Sequence, residues 1–460
     1  MISEKKILRP AGAIYYRLTA GGFDLGAAKS CFAVRYPKKI FNALSQEAKN
    51  ALAQNFIYCR FSPLALATGK KWHFQFPRPV IKNFIDAEVG RDLPRVAFCN
   101  RQNAKDLIIA CRRAQKNGLA FDAGRPPVLR FSRATQKETA LLALSFGKDS
   151  ILSYALAKEI KWPCRLVFVN EMEQHNAAEC RAKKKIIRGF SQAERQTINL
   201  MAENADEIYL HQSVKLKELD NANGMMSFAL ELLPFANFFR TRYLILGNEK
   251  NFDDTFNLAG NCKAYPSTDQ SSRYTRQAAA TLQKLTAKNY AITSLVEPLY
   301  NLAEMQILFH RYPRLLPYIM SCTLEEKARG RWCYRCPSCA QTYLYALAVG
   351  GDPRKLGFKK NMFKKTCADL FPLFHRQAKT AYEMPPAVRD EQLLAFLLAY
   401  RQGRTGELMA EFEKKYLAEA KRREKALRRK FFRVYPSKNI PQPYYNRVLK
   451  IYREELRNLI

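Results

Sequence analysis

Residues 139–155 read Thr-Ala-Leu-Leu-Ala-Leu-Ser-Phe-Gly-Lys-Asp-Ser-Ile-Leu-Ser-Tyr-Ala, and this stretch decides the fold. An apolar run of strand length, 140–144, ends in a small polar turn, 145–150. An amphipathic helix is expected to follow over about 149–159. A strand that feeds a tight turn into a helix N-terminus presents unsatisfied backbone N–H groups and a partial positive charge. Such a turn holds an anion, most often a phosphate. Gly147 allows close backbone approach, Lys148 adds positive charge, and Ser145 and Ser150 add hydroxyls. Asp149 at the helix start can cap it or hold a metal ion beside the phosphates. The plain alternative is an ordinary strand-to-helix turn with a Ser/Asp cap.

Outward from this stretch, strands and helices alternate, which implies a parallel sheet. Strands are expected at 165–170, 207–211, 243–246 and 290–295, with helices near 191–204 and 225–239. Ligands of open α/β sheets bind at the carboxyl ends of strands. That rule selects a rim made of 145–150, Asn170 with Glu171, His211, and Gly247-Asn248-Glu249. Asn170 can touch the base or ribose of a nucleotide, or merely cap. Gly247 permits close approach, and the acidic pair Asp253 and Asp254 can hold Mg²⁺ against a pyrophosphate or sit in a solvated turn. The run Lys183-Lys184-Lys185 reads as a solvated face or a phosphate contact.

The flanking regions are organised differently. Residues 1–127 show short strand-like runs at 14–18, 32–35, 56–61, 72–76 and 96–99, with a helix at 102–116, and read as an N-terminal α+β domain. Residues 128–312 form the nucleotide-binding unit, 313–360 a cysteine segment, and 361–460 a helical, basic C-terminal region. Residues 407–430 have long-helix composition, suited to packing, dimerisation or RNA binding.

Eight of the twelve cysteines are dispersed among apolar neighbours, where a thiol packs as a small hydrophobe. Cys322, Cys333, Cys336 and Cys339 instead form a C-x10-C-x2-C-x2-C cluster. Four thiolates about 2.3 Å from Zn²⁺ complete a tetrahedral, structural site with no position open to substrate. An iron–sulfur cluster and plain reduced thiols are the other readings.

The Ser145–Ser150 turn lacks the spacer and second glycine of a Walker loop. It resembles the Ser-Gly-Gly-x-Asp-Ser signature of the PP-loop ATP pyrophosphatases, matched by Ser145, Gly147, Asp149 and Ser150, with Phe146 where the first glycine is usual. Phe146 cannot adopt positive φ cheaply. Together with the downstream cysteines, the loop resembles the 7-cyano-7-deazaguanine synthase-like branch of that superfamily. The text Cys336-Pro-Ser-Cys339 and its apolar continuation is also similar to the UDP-N-acetylmuramoyl-dipeptide glutamate epimerases. The resemblance covers about 139–360. It implies a doubly wound α/β sheet of the adenine nucleotide alpha hydrolase type, ATP and Mg²⁺ as cofactors, and adenylation of an anionic small molecule with release of pyrophosphate.

Lys and Arg total 77 against 41 acids, a formal charge of +36. That field attracts polyanions, whether tRNA or another nucleic acid or an anionic small-molecule substrate. A tRNA-modifying adenylase and a non-catalytic nucleotide- or RNA-binding protein are therefore the alternative functions. The apolar share of 47% excludes general disorder, and no apolar run reaches membrane-spanning length. A cytoplasmic protein is expected, since nothing apolar follows the charged start Met-Ile-Ser-Glu-Lys-Lys.

Overall fold

The computed structural model describes residues 13–27, 30–131, 135–171, 177–205, 207–211, 214–258, 262–322, 330–375, 377–378 and 380–460. Its strands are β1 (Ala13–Thr19), β2 (Gly22–Ala27), β3 (Ser30–Arg35), β4 (Trp72–Phe74), β5 (Leu119–Phe121), β6 (Lys137–Ala143), β7 (Cys164–Glu171), β8 (Ile198–Glu203), β9 (Thr241–Ile245), β10 (Phe256–Leu258), β11 (Cys262–Ala264) and β12 (Ala291–Thr293). The helices that matter here are α1 (Gln46–Phe61), α2 (Lys82–Cys99), α3 (Ala104–Asn117), α4 (Lys148–Glu159), α5 (Ala177–Glu194), α6 (Gly224–Phe239), α7 (Ser272–Thr286), α8 (Asn301–Arg311) and α9 (Pro337–Ala348).

Ten strands form one sheet in the order β12-β9-β6-β7-β8-β3-β2-β1-β4-β5, and β10 and β11 pair as a separate ribbon. The five strands from β12 to β8 are parallel. Within them the chain starts at β6, moves out through β7 and β8, then returns to the other side of β6 as β9 and β12. The switch point thus lies between β6 and β9. Alternating side chains bury both faces: Ala140 and Leu142 join one core with α4, α5 and α8, while Leu141 joins the other with α6 and α7. Helices on both faces of a largely parallel sheet make this an α/β, doubly wound architecture.

The N-terminal strands continue the same sheet, because β3 pairs antiparallel with β8. Two strand expectations there are corrected. Residues 56–61 end α1, and 96–99 end α2. Both are short, mostly buried runs at helix C-termini, which periodicity does not separate from strands. The expected helix at 191–204 is also corrected. α5 ends at Glu194, Arg195 turns left-handed at φ 51°, and 198–203 become β8. Residues 207–211 are helical rather than a strand, since β3 already occupies the edge of β8. The His211 side chain lies outside the described residues. The long helix read at 407–430 is two, Glu407–Lys415 and Leu417–Phe431, broken at Tyr416 with φ −125°. No helix among the described residues is long and apolar enough to cross a membrane.

Candidate functional site

A pocket of about 210 Å³ opens at the switch point, where the loops after β6 and β9 meet. Ser145, Asp149 and Ser150 line it from the first loop, Gly247 and Asn248 from the second. A Cβ on Gly247 would stand 3.0 Å from the Asp149 Cβ, so the two loops approach only because residue 247 is glycine. Leu144, Val167, Val169, Met225, Phe228 and Leu246 supply an apolar wall.

The sequence left open how the first loop could fold with Phe146 in place of glycine. Phe146 adopts φ 65°. The loop therefore takes the left-handed turn, at a cost of about 1–2 kcal/mol for a residue with a Cβ. Its ring is fully buried and packs edge-on against Phe190, 5.5 Å between centroids, and tilted against Phe168 at 6.1 Å. Core burial offsets the strain. Around it the Gly147 N–H donates to Ser145 Oγ at 3.3 Å, the Ser145 hydroxyl donates to Ser150 Oγ at 3.3 Å, and the Ser150 hydroxyl donates to the Gly147 carbonyl at 3.1 Å. Gly147 is the N-cap of α4 and has no side chain to satisfy the first turn.

Lys148 does not reach into the pocket. Its ammonium turns beneath the loop into three carboxylates: Asp149, Glu249 at 2.6 Å and Glu304 at 3.1 Å. Burial opposes this charge, but the three acids outweigh it and hold the Lys148 pKa well above the lysine range. Burial pushes Glu249 up to about 7 and raises Glu304 strongly, whereas Lys148 overcomes burial at Asp149 and keeps it low. Carboxylate oxygens of Asp149, Glu249 and Glu304 lie within 4.8 Å of one another, and Glu304 Oε1 is buried with no hydrogen-bond partner. The Lys148 ammonium fills the centre of this donor set, and a divalent cation would enter it only in place of that ammonium.

Asp253 and Asp254 are engaged elsewhere. Asp253 accepts the Ser272 N–H at 2.8 Å, and Asp254 accepts the Tyr300 hydroxyl at 2.9 Å. The acids gathered with Asp149 are Glu249 and Glu304. Asn170 points away from the pocket and accepts from the Cys180 thiol at 3.4 Å, while its neighbour Glu171 lines the pocket by strand alternation. Asn248 donates to Thr275 Oγ1 at 3.1 Å, which leaves its buried Oδ1 without a partner.

Two functional residues escaped the sequence. Lys183 is buried, and its ammonium donates to the carbonyls of Ser145 and of Met320, the latter at 3.0 Å. Burial lowers its pKa to about 8. In a run of three lysines nothing singled out the one that points inward. Glu304 had a signal that was passed over: an acid on the apolar face of α8, between Ala303 and Met305, both fully buried.

The four cysteines come together. Sulfur separations are 3.8 Å for Cys333–Cys339 and 3.8 Å for Cys322–Cys336, close to the edge of a tetrahedron with about 2.3 Å metal–sulfur bonds. The N–H groups of Cys333, Arg335 and Cys339 each donate to a sulfur at 3.4 Å. Cys336 is also the N-cap of α9, where the helix dipole favours a thiolate. This cluster can hold a metal ion such as zinc. No protein-family model matches the chain, and no curated protein is significantly similar to it.

Proposed function

We propose that the chain binds ATP at the switch-point pocket and transfers its adenylate to a carboxylate or similar group on an anionic small molecule, releasing pyrophosphate. One observation carries the reading: the turn from β6 into α4 is left-handed at Phe146, φ 65°, although a residue with a Cβ opposes that conformation. In this reading N–H groups of the first turn of α4, with the Ser145 and Ser150 hydroxyls, hold the β- and γ-phosphates. The base lies against Leu144, Val167, Met225 and Phe228. The acceptor oxygen attacks the α-phosphorus, forming a new O–P bond as the bond to the β-phosphate oxygen breaks. Asp149, Glu249 and Glu304 would hold Mg²⁺ in place of the Lys148 ammonium, and the ion would supply charge compensation to the pyrophosphate. Without the ion, Lys148 holds these three carboxylates together. Zn²⁺ at the four cysteines is structural, since all four positions are protein thiolates. The reading is supported by the resemblance of Ser145, Gly147, Asp149 and Ser150, with the downstream cysteines, to the PP-loop ATP pyrophosphatases.

The test is exchange of labelled pyrophosphate into ATP with pooled candidate acids. We expect exchange and AMP formation, reduced at least about 100-fold in Asp149→Ala and Ser150→Ala. Production of ADP instead overturns the reading.

A second reading, adenylation of a tRNA base, is favoured by a separate cationic cleft. Arg354, Lys359, Lys360 and Arg404 line it against a single acid, Asp352. Copurification of RNA whose binding weakens steeply with salt supports this reading; a salt-insensitive protein free of nucleic acid removes it.

A further inference from the structure

The anion loop does not stand alone. The Met320 N–H donates to the Phe146 carbonyl at 2.7 Å, and Ser321 Oγ accepts the Lys148 N–H at 3.3 Å. Lys183 ties the same two strands of chain together, donating to the carbonyls of both Ser145 and Met320. Two loop residues, Phe146 and Lys148, thus rest directly on a strap of two residues, Met320 and Ser321, and Lys183 links Ser145 to the same strap. The next residue is Cys322, a member of the four-cysteine cluster. A single peptide bond therefore separates the hydroxyl that fixes the Lys148 N–H from a metal ligand. Met320, Cys322 and Phe146 are all 1% exposed or less, so movement at one cannot be absorbed by solvent. A left-handed Phe146 persists only while its surroundings over-determine it.

We propose that the four-cysteine centre and the anion loop form one thermodynamic unit, in which Ser321 and Lys183 act as positioning residues. A metal held by the cysteines fixes Cys322. The strap then holds the loop in its strained, anion-ready shape. By linkage an anion in the loop strengthens metal binding by the same factor. This proposal rests on the reading of Ser145–Ser150 as a phosphate site.

The experiment uses the full chain loaded with Zn²⁺ and inorganic pyrophosphate as the probe. Zinc loss to a chromophoric chelator is followed with and without saturating pyrophosphate, so that no metal-free fold is required. We expect pyrophosphate to slow zinc loss about tenfold, within the usual range of coupling between sites. Ser321→Ala, which keeps all four cysteines and binds one zinc, reduces that effect to threefold or less. Lys183→Met does the same, and Lys183→Arg restores most of it. Calorimetry on the loaded chain reads pyrophosphate binding directly. Pyrophosphate that binds well yet leaves zinc loss unchanged overturns the coupling and leaves the phosphate reading standing. A loaded chain that does not bind pyrophosphate overturns both. Equal coupling in the wild type and Ser321→Ala removes the strap as its route.

Discussion

The anion loop and the cysteine loop both turn on an aromatic residue in the left-handed region, Phe146 at φ 65° and Tyr334 at φ 61°. They are anchored by different means. Phe146 sinks its ring into the core between α4, α5 and β7, where Phe190 and Phe168 meet it. Tyr334 stays half-buried. Its hydroxyl accepts the Lys359 N–H at 2.6 Å, and the Lys360 ammonium lies 5.3 Å above its ring. Strain in the first loop is held by hydrophobic packing and by the strap of Met320 and Ser321. Strain in the second is met by that surface hydrogen bond and an edge contact of the Tyr334 ring with Phe358, and closure of the thiolates on a metal would add to them. The first loop thus has a core of its own to brace it, with the strap as a further hold, whereas the second would be finished by an ion on its thiolates.

The strongest way to break that contrast is to remove the ion. Cys339→Ser is expected to abolish stoichiometric zinc, measured by elemental analysis, and to cost more than about 5 kcal/mol of apparent stability. Unchanged thermal stability in that variant makes the second loop as self-sufficient as the first. Phe146→Ala comes next, at about 3–5 kcal/mol in denaturant melts, because it opens a cavity and keeps the strain. Phe146→Gly opens the same cavity but relieves the left-handed cost, so it should be about 1 kcal/mol more stable than Phe146→Ala. The usual order, alanine above glycine, would show that the ring is not held against strain.

A smaller effect sits beside the switch-point pocket, next to its lining residues Met225 and Gln270. Asp269 is fully buried and accepts from the Met225 N–H at 3.0 Å and from the Ser267 hydroxyl at 2.6 Å. Burial outweighs these bonds and raises its pKa to about 6. The folded chain then keeps a proton that the unfolded chain gives up near pH 4. Unfolding free energy should fall by on the order of 2 kcal/mol as pH rises from about 4 to 6. Asp269→Asn should flatten that slope in pH-dependent melts; an equal slope in both proteins assigns the proton elsewhere. The smallest change is expected at Tyr334→Gly, within about 1 kcal/mol with zinc bound, since relief of strain offsets the lost ring contacts.

What could be read from the sequence followed from how local its cause was. The strand, turn and helix around Ser145–Ser150 are fixed by short-range chemistry, and they stand where the pattern put them. The same holds for the sulfur cluster, three of whose members lie within seven residues. The acids gathered with Asp149 were not legible for the opposite reason. Asp253 and Asp254 are near Gly247 in sequence, but the 3₁₀ turn Lys250–Asp253 carries them away, and Glu304 arrives from a helix 155 residues beyond Asp149 in the chain. Helix α5 was missed because its polar face carries Lys184, Lys185 and Arg188 in one charged run. Its inward face uses only Ala178, Cys180, Lys183, Ile186 and Phe190. A buried lysine there looks the same in sequence as its exposed neighbours.

The antiparallel joint between β3 and β8 carries a consequence for synthesis of the chain. The Ala33 N–H donates to the Asn204 side chain across 171 residues of sequence. On a ribosome adding about 5–20 residues per second, the hairpin strands β1 to β3 emerge roughly 10–30 s before the strand that covers them. During that interval β3 offers a free row of backbone donors and acceptors, alongside Phe32 and Val34, which are buried once folding is complete. An open edge of that kind pairs readily with another nascent chain. Slower elongation lengthens the exposure, so recovery of folded protein should depend on how fast the stretch between residues 35 and 198 is translated.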